Sequence, residues 1–319
     1  MTIQTPGTGW QYAGLASAGH NPYTGTVAVD PQPFLQALDL PPPRGITPLA
    51  GGHDTQVWRL DWPDRRAVLR LYRPEQSAAA QREALALAAA ARAGVPVPRI
   101  LGQATVAGRP VLLLSWCQGR PLLHVLLTHP WTIWRLGRRF GAVQAQIHAV
   151  QAPAALRPPA RDWIAWAGPM AATVQHHLRQ LPLRTEALLH LDYHPLNVLT
   201  DGHRLTAVLD WINAGGGDPR ADLARTVTLL RLAPAPPGPG RRLLSPLRGL
   251  LELAWRAGYR ETAGTFPAPS DLAPFYAWAG WVLLHDLAPR PDRPGLLSPA
   301  AQERVRRWIS AWQRRAGLG

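Results

Sequence analysis

The stretch from His190 to Asn197 reads His-Leu-Asp-Tyr-His-Pro-Leu-Asn, and the run Leu-Thr-Ala-Val-Leu-Asp follows it at residues 205–210. Three oxygen-bearing side chains, Asp192, Asn197 and Asp210, therefore occur within a short interval. In phosphoryl transfer, one carboxylate accepts the proton of an attacking hydroxyl, while an amide and a second carboxylate hold Mg²⁺ against the nucleotide phosphates. Because Mg²⁺ prefers oxygen ligands and keeps several waters, one Asn and one Asp suffice beside phosphate. This order of residues predicts phosphoryl transfer with ATP and Mg²⁺.

A predicted hairpin connects these side chains. The dipeptide Asp201-Gly202 is a strong turn signal, and strand-like segments lie on both sides of it. If the two residues that flank this dipeptide close the turn, Asp210 lies opposite Tyr193, next to Asp192. Asn197 reaches the same place only if the intervening chain curls, and the proline in that segment favours a turn. We therefore expect a hairpin to bring the two carboxylates together.

The segment from His190 to Ala224 resembles the signature of the aminoglycoside phosphotransferase and choline kinase superfamily, which has a protein-kinase-like fold. That pattern is His-Gly-Asp-x-x-x-x-Asn, then a hairpin, then Asp-Trp, and then Gly-Asp-Pro-x-x-Asp-Leu-Ala. The chain matches it in order, with Leu191 in place of the usual glycine. The matching residues are His190-Leu191-Asp192, Asn197, Asp210-Trp211 and Gly217-Asp218-Pro219-Arg220-Ala221-Asp222-Leu223-Ala224.

The resemblance implies a role for each matching residue. Asp192 would be the catalytic base, and Asn197 and Asp210 would be the magnesium ligands. His190 would support the catalytic loop without taking part in the chemistry. Two further carboxylates would bond the loop backbone or cap the helix that follows: Asp218 and Asp222. Other polar residues of the segment are interpreted as loop or turn residues: His194, Asp201 and His203.

Two other segments would contact the nucleotide. Gly51 and Gly52 lie between strand-like segments, where backbone N–H groups can approach phosphate closely, although a double glycine alone also fits an ordinary hairpin. By resemblance, the hinge between the lobes would bind the adenine edge through backbone groups. We expect this hinge at Ser115, Trp116 and Cys117.

A strand at residues 66–72 and a helix at residues 78–93, capped by Ser77, complete the predicted nucleotide lobe. Kinases place a lysine on this strand and pair it with a glutamate on this helix. The chain contains no lysine, because all 34 basic residues are arginine. By resemblance, Arg70 occupies the lysine position and Glu83 is its partner. The alternative is that Arg70 is a surface residue of the strand.

The predicted fold class is α+β, a bilobal protein-kinase-like fold. It comprises a small antiparallel-sheet N-lobe with one helix and a larger, mainly helical C-lobe. A chain of 319 residues exceeds the usual limit of a single core. We expect residues 1–34 to be a loosely ordered extension, 35–117 the N-lobe and hinge, and 118–319 the C-lobe. One core helix is predicted from apolar residues at helical spacing: Leu136, Phe140, Val143 and Ile147.

Several features favour a cytoplasmic protein. The N-terminal residues lack the basic and apolar regions of a signal peptide, and no apolar run is long enough to span a membrane. The single cysteine, Cys117, excludes an intrachain disulfide and fits a reducing compartment. The oligomeric state stays open.

The net charge of +14 and the isoelectric point near 11.4 suggest an alternative, since nucleic-acid binders neutralise phosphates. However, the arginines are spread along the chain and no nucleic-acid-binding motif occurs. A GC-rich coding bias explains the replacement of lysine by arginine better. A further alternative is a catalytically silent nucleotide-binding member of the same fold.

The acceptor is predicted from the charges of the C-lobe. A polycationic aminoglycoside needs an acidic pocket, and the acidic residues outside the motif are scattered: Asp162, Glu186, Glu252, Glu261, Asp271, Asp286, Asp292 and Glu303. Five aromatic residues could bind a quaternary amine through cation–π contacts, although core packing is the better interpretation: Trp163, Trp166, Tyr276, Trp278 and Trp281. We therefore expect a small alcohol, namely a sugar, an amino alcohol or a hydroxy amino acid.

Overall fold

A computed structural model describes residues 30–49, 55–159, 162–234, 244–288 and 297–318. Its strands are β1 Gly45–Leu49, β2 Gln56–Asp61, β3 Arg66–Leu71, β4 Ile100–Val106, β5 Arg109–Ser115, β6 Arg120–Pro121, β7 Ala187–Leu189, β8 Val198–Thr200, β9 Leu205–Val208 and β10 Gly215–Gly217. Its helices are α1 Gln32–Ala37, α2 Ser77–Arg92, α3 Leu122–Thr128, α4 Ile133–Ala149, α5 Ala172–Gln180, α6 Pro219–Leu232, α7 Leu244–Ala263, α8 Pro269–Asp286 and α9 Pro299–Arg315.

The N-lobe is a five-stranded antiparallel sheet in the order β1-β2-β3-β5-β4. Alternation along β3 sends Leu69 into a core that it shares with Phe34 of α1. Val68 and Tyr72 point to the opposite face, where they join the core that contains α2. Helix α1 begins at Gln32, inside the segment for which we expected loose order, while residues 1–29 lie outside the described ranges.

Helix α2 differs from the prediction at its first turn. Ser77 is the first helical residue and not the cap, and no side chain caps this end. The preceding short 3₁₀ turn contains Gln76, whose side-chain oxygen accepts a hydrogen bond from the Arg73 N–H group at 2.8 Å. The helix ends at Arg92, and Gly94 follows with a φ of 76°.

The hairpin after the catalytic-loop segment has a different register from the predicted one. Val198 pairs with Val208, and Leu199 pairs with Ala207. The turn is longer than two residues because the Asp201 carboxylate accepts hydrogen bonds from the N–H groups of His203 and Arg204, each at 2.8 Å. The prediction that Asp210 lies opposite Tyr193 is therefore wrong.

The C-lobe is built around α4, on which the four predicted core residues are all buried. Helices α4 and α7 approach closely because glycines lie where they cross. A Cβ atom at Gly141 would lie 1.9 Å from the Trp255 carbonyl oxygen, and one at Gly258 would lie 1.9 Å from the Arg138 carbonyl oxygen. The close helix contact therefore requires glycine at both positions.

The aromatic residues considered as a cation site lie in the C-lobe core or pack against it. Trp163 and Trp278 are buried and meet edge to face, with ring centroids 4.9 Å apart. The Trp278 indole N–H donates to the Ile164 carbonyl at 3.0 Å. Core packing, the favoured interpretation, is confirmed. In the described ranges, no helix is both long and apolar enough to cross a membrane.

Gly141→Ala should lower the free energy of unfolding by at least about 2 kcal/mol, because the new methyl group overlaps the backbone of α7. Gly249→Ala is the matched control, since Gly249 is exposed on α7 and a Cβ there meets no atom within 4 Å. It should stabilise the helix by about 0.5–1 kcal/mol. Urea unfolding measures both variants, and equal effects would refute the packing argument.

Candidate active site

The candidate catalytic loop, residues 190–197, is held in place by a carboxylate of α6. Buried Asp222 accepts hydrogen bonds from the N–H groups of His190 at 3.0 Å and Leu191 at 2.8 Å. His148 of α4 lies against the same carboxylate, with Nε2 at 3.0 Å. Burial opposes ionisation, but these partners outweigh it and hold the pKa of Asp222 below its usual range. Asp218 caps α6 by accepting from the Arg220 N–H at 2.9 Å.

His190 connects the loop to the end of β9. Its Nε2 atom lies 2.9 Å from the Leu209 carbonyl oxygen, and its Nδ1 atom lies 3.3 Å from the Asp192 amide nitrogen. Burial lowers the pKa of His190. The neutral ring therefore carries its proton on Nε2, donates to the carbonyl, and accepts the N–H of Asp192 on Nδ1.

A turn between Asp192 and Asn197, predicted from the proline in this segment, brings these two residues together. The Asn197 N–H donates to the His194 carbonyl at 2.9 Å and thereby closes a turn. The Asn197 amide nitrogen Nδ2 then donates to the Asp192 carbonyl at 3.0 Å and to its carboxylate Oδ2 at 3.2 Å. These two bonds fix the amide, so Oδ1 of Asn197 is the atom that could bind a metal.

Arg70 joins the two lobes. Its Nη1 atom lies 2.8 Å from Glu83 Oε1 on α2, and its Nη2 atom lies 2.8 Å from Asp210 Oδ1. Tyr72 donates its hydroxyl to Glu83 Oε2 at 2.6 Å. Burial disfavours the charged guanidinium, yet Glu83, Tyr72 and Asp210 outweigh it and raise the pKa of Arg70. The alternative that Arg70 is a surface residue is wrong, because it is only 9% exposed.

The residues present suit a magnesium ion. Asp210 has a left-handed backbone with φ 63° and ψ 66°, and one of its carboxylate oxygens is used by Arg70. Its second oxygen and Oδ1 of Asn197 are hard donors of the kind that Mg²⁺ prefers. No group of three or more metal-ligating side chains occurs in the described ranges. A metal here would therefore need nucleotide phosphates and water for its other ligands.

The predicted hinge follows β5. The Ser115 N–H donates to the Arg99 carbonyl at 2.8 Å, and the Ser115 hydroxyl oxygen accepts a hydrogen bond from the Arg99 N–H at 2.9 Å. Trp116 lies beneath the Arg59 guanidinium, 5.9 Å from the ring centroid. Burial raises the pKa of the Cys117 thiol to about 11, so this cysteine is not a reactive thiolate. The two predicted glycines of the phosphate turn lie outside the described residues: Gly51 and Gly52.

Two residues beside Asp192 were missed in the sequence. His194 Nε2 lies 3.7 Å from Asp192 Oδ2, and Arg225 Nη2 lies 3.9 Å from Asp192 Oδ1. Burial opposes the charge, but His194 and Arg225 outweigh it and lower the pKa of Asp192. Arg225 follows Asp222 by three positions, so helical spacing puts both on one face of α6. The helical spacing from Asp222 could have indicated that Arg225 lies near the loop. The position of His194, two residues after Asp192, could have indicated that its ring lies near that carboxylate.

A small cavity of about 90 Å³ adjoins the catalytic loop. One wall consists of His194, Pro195 and Leu196. The other walls are mostly apolar and contain no acidic residue: Leu123, Leu126, Leu127, Ile133, Leu229, Leu230, Ala233, Pro234, Leu247, Arg248 and Leu251. Because His194 also faces Asp192, the cavity lies next to the candidate catalytic carboxylate.

Six of the eight C-lobe acids outside the motif form ion pairs with arginine, and Asp271 is not among them. The pairs are Asp162–Arg179, Glu186–Arg184, Glu252–Arg231, Glu252–Arg256, Glu261–Arg138, Asp286–Arg225 and Glu303–Arg307. Asp292 lies outside the described residues. Paired carboxylates offer less net charge to a polycation than free ones would.

Asp222→Asn should lower the free energy of unfolding by about 3 kcal/mol, because it leaves buried donors of the loop and His148 without their charged acceptor. Asp201→Asn is the control, since its carboxylate lies in an exposed turn and the amide oxygen can still accept. We expect a change within about 0.5 kcal/mol there. Chemical unfolding measures both, and similar losses would mean that Asp222 does not fix the loop.

Comparisons with known proteins agree with this geometry. A search among curated proteins finds no match. Among solved structures, the aminoglycoside phosphotransferase APH(4)-Ia with ADP and hygromycin B is 18% identical, with a TM-score of 0.63 and coverage of 90% of this chain and 98% of that one. A microcompartment-associated aminopropanol kinase is also 18% identical, with a TM-score of 0.57 and coverage of 88% and 94%. These similarities confirm the predicted kinase-like α+β fold.

A family model gives the assignment that these distant structures support. The model described as the phosphotransferase enzyme family matches residues 45–275, well over half of the chain. The matched range includes β3, α2, the catalytic-loop segment and α6. The predicted superfamily is thereby confirmed, and the chain belongs to the phosphotransferase enzyme family.

Proposed function

We propose that this protein is an ATP- and Mg²⁺-dependent kinase that moves the γ-phosphoryl group to a hydroxyl of a small molecule. The observation that carries the proposal is that Asn197 contacts Asp192 and is bonded through its carbonyl to the N–H of Leu209, while the next residue, Asp210, contacts Arg70 of the Arg70–Glu83 ion pair. Neighbouring structures that contain ADP or AMP-PNP support nucleotide use by this fold. A reducing cytoplasm, where ATP is available, is the compartment we expect.

Each side chain would have a distinct task. Asp192 would accept a hydrogen bond from the acceptor hydroxyl and hold it in line with the phosphoryl group. Because its pKa is lowered, Asp192 is a weak base, and orientation of the hydroxyl would precede proton transfer. Asn197 and Asp210 would hold Mg²⁺, which when bound neutralises charge between the phosphates. Arg70 would donate to phosphate oxygens while it remains paired with Glu83.

The surroundings of Asp192 favour a compact acceptor with little positive charge. The cavity beside His194 is lined mainly by apolar side chains, and six of the eight C-lobe acids outside the motif are paired with arginine. A sugar, an amino alcohol or a hydroxy amino acid therefore suits the site better than an aminoglycoside. The similarity to an aminopropanol kinase supports an amino alcohol, whereas the similarity to a hygromycin-bound enzyme supports an aminoglycoside.

A catalytically silent nucleotide-binding protein is the second candidate. It is favoured by one observation, namely that Arg70 stands in for the usual lysine and pairs with Asp210. A phosphate-binding arginine keeps its charge but has a planar, longer head group than lysine. The two candidates differ in turnover and not in nucleotide binding, so an activity measurement separates them.

ADP release from Mg-ATP should rise in the presence of one acceptor class when the protein is tested with sugars, amino alcohols, homoserine and aminoglycosides. The Asp192→Asn variant should lose at least about 100-fold in turnover, because it removes the base that orients the hydroxyl. It should still bind Mg-ADP, which calorimetry measures. Asp210→Ala should lose Mg²⁺-dependent nucleotide binding instead. Equal turnover by Asp192→Asn and the unmodified protein would sink the assignment of the base.

Leu123→Trp should raise the acceptor KM by about tenfold or more, because the larger ring fills the cavity beside the catalytic loop. Its ATP KM should not change. Leu101→Trp, at a residue that is 50% exposed on the N-lobe, is the matched control. An unchanged acceptor KM in Leu123→Trp would show that the acceptor binds elsewhere.

A further inference from the structure

A second cavity lies in the C-lobe, apart from the candidate catalytic loop. It has a volume of about 270 Å³ and lies between the C-terminal end of α8, the first turns of α9 and the segment 167–170. Within the described ranges, it shares no lining residue with the cavity beside the catalytic loop, and no catalytic-loop residue lines it. This α8–α9 cavity is therefore a separate concave site of the kind that binds small molecules.

Most of the wall of the α8–α9 cavity is apolar. Four large side chains form much of it: Trp281, Leu284, Leu287 and Leu297. Met170 also lines the cavity, although this residue is 76% exposed. A ligand with an apolar body would cover these side chains and remove apolar surface from water. The volume gives room for at least about ten non-hydrogen atoms.

The charged group that lines the cavity is a guanidinium. Arg306 lies on α9, is exposed, and makes no hydrogen bond or ion pair with another residue of the described ranges. No carboxylate lines the cavity in the same part of the chain. The acid nearest in sequence, Asp286, contacts Arg225 of α6 at 3.1 Å. Arg306 can therefore pair with an anion that enters the cavity.

A buried donor belongs to the same wall. The Trp281 indole N–H is shielded from solvent and has no acceptor among the residues that the structure describes. Trp278, one turn earlier on α8, differs because its N–H donates to the Ile164 carbonyl at 3.0 Å. A buried donor without a partner costs about 1–3 kcal/mol. A ligand that carries oxygen thus suits this wall better than a pure hydrocarbon does.

We propose that the α8–α9 cavity binds a small carboxylate with an apolar body. The apolar body lies against Trp281 and the leucine side chains, and the carboxylate pairs with Arg306. This site is distinct from the site proposed for the acceptor alcohol. Its ligand needs neither nucleotide nor metal, so the inference does not rest on the proposed function.

Met170 provides a local signal for the test, because the chain contains only two methionines, Met1 and Met170. Protein labelled with ¹³C in the methionine methyl groups is titrated with phenylacetate, without nucleotide or Mg²⁺, and followed by nuclear magnetic resonance. Met170→Leu identifies the signal of Met170, and the signal of Met1 is the internal reference. The Met170 signal should shift to saturation with a Kd of about 1 mM or below, as expected for a ligand of this size.

The charge of the ligand is tested with phenylacetamide, which has the same shape and no charge. It should bind at least about threefold more weakly than phenylacetate, because it cannot form an ion pair with Arg306. Equal affinities of the two compounds would overturn the proposed carboxylate site. So would a Met170 signal that does not move at about twenty times the expected Kd.

Arg306→Gln should weaken the binding of phenylacetate by at least about threefold and leave that of phenylacetamide unchanged. Arg304→Gln is the matched control, since it removes the same charge from α9 at a residue that does not line the cavity and donates to the Ala300 carbonyl. Both arginines are exposed, and thermal unfolding verifies that both variants are folded. Equal affinities for phenylacetate in the two variants would overturn the role of Arg306.

Leu123→Trp tests whether the ligand binds in the α8–α9 cavity. This variant fills the other cavity, beside the catalytic loop, and should leave the affinity for phenylacetate unchanged. A loss of binding would mean that the ligand binds beside the catalytic loop, and the second site would be overturned. None of these measurements depends on turnover, so the failure of the proposed kinase activity and the failure of this inference are distinguishable.

Discussion

The bond between the Asp222 carboxylate and the backbone of the catalytic loop is the contact on which the site depends. Leu191 has a left-handed backbone with a φ of 63°, which is costly for a residue with a branched side chain. The carboxylate holds this conformation by accepting from two consecutive N–H groups. Asp192 follows immediately, so its position relative to α6 is set by Asp222. The buried helix thus determines where the candidate catalytic carboxylate lies.

A second constraint connects the N-lobe to this fixed loop. Arg70 on β3 reaches Asp210 across the lobes, and Asp210 directly follows Leu209, whose carbonyl oxygen accepts a hydrogen bond from the His190 ring. Changes in β3 are therefore transmitted to the candidate metal ligand through one guanidinium. Because the chain has no lysine, the contact between β3 and Asp210 is made by a planar guanidinium and not by an ammonium group. The absence of lysine is a property of the whole chain and not of the site alone, yet it determines which side chain makes the contact with Asp210.

Contacts between residues close in sequence could be predicted, whereas features for which several hydrogen-bonding groups compete could not. The motif predicted that Asp192 and Asn197 lie together, and the structure places these two side chains in contact. The hairpin register was wrong, because the side chain of Asp201 captured two N–H groups and lengthened the turn. The cavity beside His194 could not be foreseen, since it depends on how α3, α6 and α7 pack around the loop.

Arginine also determines how much acidic surface the C-lobe can offer to an acceptor. A guanidinium can bind a carboxylate through two parallel donors, which orients the pair more firmly than a lysine ammonium would. Glu252 shows the effect, because Arg231 and Arg256 both donate to it. An acidic pocket for a polycation would need carboxylates without such partners near Asp192. The structure places His194 and Arg225 beside Asp192, and the Arg225 nitrogen that faces Asp192 also binds Asp286, so this neighbouring acid is paired with a guanidinium.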